Sequence, residues 1–95
     1  MPLLNEAERV AEISTLSNWH YDEARHGLAR TFRFADFGEA FAFMVRVALE
    51  AEKADHHPDW FNAWNRVDIL LTTHSAAGLT AKDIALARRI DAMAV

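Results

Sequence analysis

Residues Glu52–Asp83 read EKADHHPDWFNAWNRVDILLTTHSAAGLTAKD, and the fold turns on where this run changes periodicity. Pro58 disfavours helical geometry at the residue before it, so the helix that enters the run should end near Asp55 or His56. From Asp59 to His74 the pattern is that of strands, with Val67, Ile69 and Leu71 alternating with Arg66, Asp68 and Leu70. A hairpin is expected between Trp60–Trp64 and Val67–Thr73, turning at Asn65-Arg66, because asparagine tolerates positive φ. Ser75–Leu79, which contains Gly78, reads as a loop. Thr80 and Asp83 form a capping box that opens a last helix through Ala94. Its buried face is Ile84, Ala87, Ile90 and Ala94, with Arg88 and Arg89 toward the C-terminal half, where positive charge is favoured.

Upstream, Asp36 and Glu39 make another capping box and start the longest helix. Phe37, Phe41, Met44, Val45 and Ala48 follow the spacing of a core face. Ala40, Phe43 and Val47 form a second apolar stripe, which we assign to contact between subunits because so small a chain cannot surround a helix. Leu28–Phe34 is expected as a half-buried strand with Phe32 and Phe34 inward. Asp22–Gly27 is its turn, and Trp19–Tyr21 its hairpin partner. Asn5 and Glu8 cap a first helix whose apolar face is Ala7, Val10, Ile13 and Leu16, ended by Ser17-Asn18. The order α-β-β-α-β-β-α predicts an α+β fold, an antiparallel four-stranded sheet with three helices packed on one face.

The 95 residues read as one domain, residues 1–95, and an apolar fraction of 52% supports a real core. Cysteine is absent, which excludes disulfides and thiolate metal sites. A net charge of −4 without a basic block argues against direct nucleic-acid binding. No apolar run approaches the ~20 residues of a membrane span. The segment MPLLNEAERV lacks the basic-then-apolar pattern of a signal peptide, so a cytoplasmic location is expected.

Three of the five histidines, His56, His57 and His74, fall in the opening stretch beside Glu52 and Asp55. Glu52 and His56 are four apart at a helix end and share a face, which places the carboxylate to orient the imidazole. His57 projects differently, and His74 arrives from a strand end. Two histidines from separate elements are the minimum for paired general acid and base work near neutral pH. Titratable groups interleaved with Trp60 and Trp64 indicate a flat, hydrogen-bonding small molecule. His20 and His26 have no clustered partners in sequence and read as surface residues. Zinc held by Glu52, His56 and His74 is the competing chemistry, but no HExxH motif is present and adjacent His56-His57 diverge. Nucleophilic catalysis has only Ser75 beside His74, without a GxSxG elbow.

The stretch closely resembles the pterin-4a-carbinolamine dehydratases, also called dimerization cofactor of a homeodomain transcription factor. That family's pattern is an acid, three residues, HHP, an aromatic, a histidine ten residues on and an aspartate nine further. Here these are Glu52, His56-His57-Pro58, Trp64, His74 and Asp83, without a gap. Trp64 stands where tyrosine is frequent. The likeness extends through DFGEAFAFMVRVALEAEK back to Trp19. It implies loss of water from 4a-hydroxytetrahydropterins, the products of aromatic amino-acid hydroxylases, to quinonoid dihydropterin, with no cofactor and no metal. It further implies that His56 and His74 are the acid/base pair, that His57 binds and orients the pterin, that Glu52 supports His56, and that Asp55, Thr73 and Ser75 border the ring. A homo-oligomer, dimer or tetramer with a central helix bundle, is implied as well. The alternative is a non-catalytic helix-binding module that keeps these histidines by ancestry.

Overall fold

A computed structural model describes residues 2–94. The elements are α1 (Glu6–Ile13), β1 (His20–Asp22), β2 (Gly27–Arg33), α2 (Phe37–Ala54), β3 (Asp59–Ala63), β4 (Arg66–Leu71), a 3₁₀ turn (His74–Ala76) and α3 (Ala81–Met93). The strands form one antiparallel sheet in the order β1-β2-β4-β3, so the two hairpins meet along β2 and β4. The α+β architecture of three helices and four antiparallel strands is the expected one. Asn5, Asp36 and Thr80 cap the three helices; Asn5–Glu8 and Thr80–Asp83 close the expected capping boxes, whereas at α2 Glu39 accepts from Ala35 N instead of Asp36 N, so that box stays half made. Strand limits move slightly: β1 starts at His20 because Trp19 turns into the core, where it is 4% exposed. β4 stops at Leu71, and Thr73 instead pairs in an isolated bridge with Gly78.

Side chains alternate across the sheet. Leu28 and Phe32 of β2 and Val67, Ile69 and Leu71 of β4 enter one core with Phe43, Val47, Ile84, Ala87 and Ile90. Arg30 is half-buried and donates to Asp91 of α3 at 2.6 Å, an oxygen that also accepts from Trp19 Nε1 at 2.7 Å. This ties the sheet to the end of α3.

The two stripes of α2 are the reverse of the expectation. Ala40, Phe43, Val47 and Ala51 are buried, whereas Phe37, Phe41, Val45 and Leu49 are exposed. Phe43 stacks between Phe32 and Phe34, with ring centroids 4.8 and 4.9 Å away. Met44 and Ala48 lie half-buried on the border. Side-chain size alone pointed to the wrong face, because what decides is which stripe fits the neighbouring strands.

Two smaller readings are also corrected. Ala7 and Val10 of α1 are exposed, whereas Ile13 packs on the core and Leu16, expected in the helix but lying beyond its end at Ile13, is buried; Arg9 and Glu12 are half-buried beside them. The β3–β4 loop is Trp64-Asn65, since Ala63 pairs with Arg66. Trp64, not Asn65, takes positive φ, at 50°. Asn65 is occupied elsewhere: its side chain donates to Phe34 O at 2.9 Å, and Phe34 N donates back to Asn65 O. Asn62 fastens the turn by donating to Trp64 O and Arg66 O.

Candidate active site

α2 ends at Ala54, and Asp55 closes it in left-handed geometry with φ 51°. The chain therefore leaves the helix before His56, so the helical four-residue relation between Glu52 and His56 is lost. Glu52 accepts instead from His57 Nε2 at 2.5 Å, and both side chains are more than half exposed. His56 folds inward to 7% exposure and donates through Nε2 to Asp83 Oδ1 at 2.5 Å. The expected support of His56 by Glu52 is thus replaced by support from Asp83.

Asp83 is completely buried and fully used. Its Oδ2 accepts from Thr73 Oγ1 at 2.8 Å and from Thr80 N at 2.9 Å. Thr73 Oγ1 also lies 2.8 Å from Thr80 Oγ1. A carboxylate only accepts, so the Thr73 proton goes to Asp83 and the Thr80 hydroxyl donates to Thr73. One acid thus caps α3, orders the strand end and fixes His56. A buried carboxylate is tolerated only with such complete pairing.

His74 begins the 3₁₀ turn and stays exposed. The Thr73–Gly78 bridge closes the loop that carries it, with Thr73 N donating to Gly78 O at 3.0 Å. His74 Nε2 reaches Asp59 Oδ2 at 3.2 Å. Each of the three motif histidines therefore faces its own carboxylate. Among the described residues, His20 and His26 face none. The three candidate zinc ligands Glu52, His56 and His74 do not converge, since each turns to a different partner. No group of three His, Cys, Asp or Glu side chains among the described residues is arranged to hold a metal ion.

One cleft is lined by His56 and another by His74. The first, of about 320 Å³, lies between the end of α2 and the start of α3 and is lined by His56, Lys53, Lys82 and Arg89 with Glu50. The second, of about 340 Å³, is lined by His74, Asp59, Arg25 and His26 over Leu70 and Thr72. No lining residue is shared, so a substrate that engages both His56 and His74 must span them. Of the other site candidates, Thr73 is buried within the Asp83 network, while Asp55 and Ser75 are exposed.

Sequence reasoning missed Asp59, Arg25 and His26 beside His74. His26 is the exposed surface residue expected, and the β1–β2 turn places it in the lining of this cleft. Its backbone is left-handed, φ 52°, and its carbonyl accepts from Thr72 Oγ1 at 2.9 Å. Asp59 follows Pro58 directly, and that adjacency to the histidine pair was the available signal. Arg25 and His26 carried none, because the β1–β2 turn is far from the motif in the chain. Arg25 holds Asp22 at 2.8 Å, and its guanidinium keeps that carboxyl below the usual aspartate range.

Comparison with known proteins locates the fold. A family model described as pterin 4 alpha carbinolamine dehydratase matches residues 2–93. A protein of Rhizorhabdus wittichii, provisionally named a pterin-4-alpha-carbinolamine dehydratase, is 56% identical over 91 residues, 96% of this chain and 94% of that one. One from Novosphingobium aromaticivorans with the same provisional name is 53% identical, covering 93% and 92% of the two chains. The crystal structure of a transcriptional coactivator/pterin dehydratase from Brucella melitensis superposes with TM-score 0.94 at 47% identity, covering 98% of this chain and 99% of that one. A pterin dehydratase-like protein described as a RuBisCO assembly factor in the alpha-carboxysome gives TM-score 0.71 at 26% identity, over 81% and 89% of the chains.

Proposed function

Because this chain belongs to the pterin 4 alpha carbinolamine dehydratase family, we propose that it removes water from 4a-hydroxytetrahydrobiopterin-type pterins to give the quinonoid dihydropterin, as a step of tetrahydrobiopterin recycling. The observation that carries this reading is the pairing of all three motif histidines with separate carboxylates, held by different elements. In the reaction the C4a–O bond breaks, the departing hydroxyl receives a proton, N5 loses one, and the C4a–N5 double bond forms. The ring nitrogen's lone pair expels the hydroxyl, so proton management is the whole catalytic task. His56 and His74 share the acid and base roles. His57, exposed and paired with Glu52, binds and orients the ring. Asp55, Thr73 and Ser75 border the site, Thr73 through Asp83. An aromatic amino-acid hydroxylase is the kind of enzyme that supplies this substrate, in the cytoplasm. Turnover of a synthetic 4a-carbinolamine by the pure protein, with the spontaneous reaction subtracted, tests the proposal.

The exposed stripe Phe37, Phe41, Val45 and Leu49 runs along one side of α2, with Phe37 and Phe41 rings 5.7 Å apart. Contiguous exposed apolar surface of this kind marks an interaction site. Within the same proposal it is the contact that builds a dimer or tetramer from this chain. The same stripe supports a second reading, a helix-binding module without catalysis, which keeps the histidines but turns over no carbinolamine.

A further inference from the structure

We propose that Asp59 is the positioning residue of His74: its carboxylate holds the Nε2–H edge of the imidazole and leaves Nδ1 as the nitrogen that exchanges protons with the substrate. The proposal deepens the dehydratase reading and rests on it for the substrate.

His74 Nε2 lies 3.2 Å from Asp59 Oδ2 and 3.4 Å from Oδ1. A carboxylate accepts, so Nε2 carries the hydrogen. Nδ1 of His74 has no hydrogen-bond partner among the described residues. With Nε2 so occupied, the neutral ring offers a lone pair at Nδ1, and the protonated ring offers a proton at the same atom. One nitrogen thereby serves both directions of transfer. Asp59 only orients the ring and exchanges no proton in this scheme.

Both partners stand on fixed backbone. Asp59 opens β3 and pairs with Leu70 of β4. The His74 loop is closed by the Thr73–Gly78 bridge. Both side chains are short, so little freedom is lost on pairing. The arginine lining the cleft, Arg25, is held by Asp22 at 2.8 Å. Both members are more than half exposed, and exposed pairs add little stability, which leaves orientation as what the contact supplies.

The test uses the full chain with Asp59→Asn, Asp59→Ala and Asp59→Glu. We expect Asn and Ala to lower kcat for a synthetic 4a-hydroxytetrahydropterin roughly 10- to 100-fold, less than loss of a buried triad aspartate costs, with KM nearly unchanged and thermal stability preserved. Asp59→Glu should recover most of the loss. Nitrogen-15 NMR of His74 in the wild type should show hydrogen on Nε2 and a bare Nδ1, and Asp59→Ala should mix the two tautomers. Wild-type kcat in Asn and Ala, while His74→Ala is inactive, overturns this role and spares the dehydratase reading. A rise in KM at constant kcat overturns it too, making Asp59 a substrate contact. If the wild type turns nothing over, the dehydratase reading fails. The NMR arm then decides alone, and an unchanged tautomer balance in Asp59→Ala overturns the pairing.

Discussion

Asp83 accepts from His56 across 27 residues of sequence, joining the end of α2 to the first turn of α3. The same carboxylate caps α3 and receives Thr73. The site and the fold therefore share one buried charge.

Asp83→Ala should cost about 2–4 kcal/mol, combining a lost helix cap with buried donors left unpaired. Urea unfolding measures it. A loss under about 0.5 kcal/mol would show that the network contributes little.

The two stripes of α2 should respond differently. Phe43→Ala should destabilise the fold by about 3–5 kcal/mol, as buried phenylalanine deletions do. Phe41→Glu should leave the circular dichroism intact and reduce the particle mass seen by light scattering. An unchanged mass in Phe41→Glu would remove the assembly role of the exposed stripe.

Gly27→Ala should destabilise by about 1–3 kcal/mol through overpacking. An added Cβ would stand 2.6 Å from Leu70 Cδ1 and 3.0 Å from Leu71 O, and the backbone atom cannot yield as a side chain can. Thermal unfolding measures the loss, and a melting temperature equal to wild type would contradict the packing.

Arg25 lowers the Asp22 pKa through its side-chain hydrogen bond. A depressed folded pKa contributes stability above the unfolded value and loses it as pH falls through the folded one. Carboxyl-carbon NMR should therefore find Asp22 titrating below an ordinary aspartate, and Arg25→Gln should raise its midpoint. Because Arg25 is more than half exposed and the pair sits at a surface turn, global stability should barely follow. An unmoved midpoint would show that Arg25 is not the cause.

Much of this was legible because it is local. The caps at Asn5, Asp36 and Thr80 and the alternation of Val67, Ile69 and Leu71 depend on neighbours a few residues away. The α2 faces were not legible, since both stripes are apolar and only docking against Phe32 and Phe34 separates them. The hairpin turn was misplaced because Asn65 is held by Phe34, a partner outside the hairpin. The motif histidines were recognisable as a set, but their partners were not. Asp55 ends the helix one residue before His56, which transfers Glu52 to His57 and leaves His56 to Asp83. Arg25 and His26 reach the His74 cleft only through the β1–β2 turn.

The most direct measurement is the rate of water loss from a synthetic 4a-hydroxytetrahydropterin with the wild type and His74→Ala, each corrected for the spontaneous reaction. His74 is exposed on a loop closed by backbone bonds, so its removal should leave the fold intact by circular dichroism. Clear acceleration by the wild type is expected, with a loss of about 10²–10⁴-fold in His74→Ala, the scale of a positioned acid or base. No acceleration by the wild type, or full activity in His74→Ala, would contradict the proposed function.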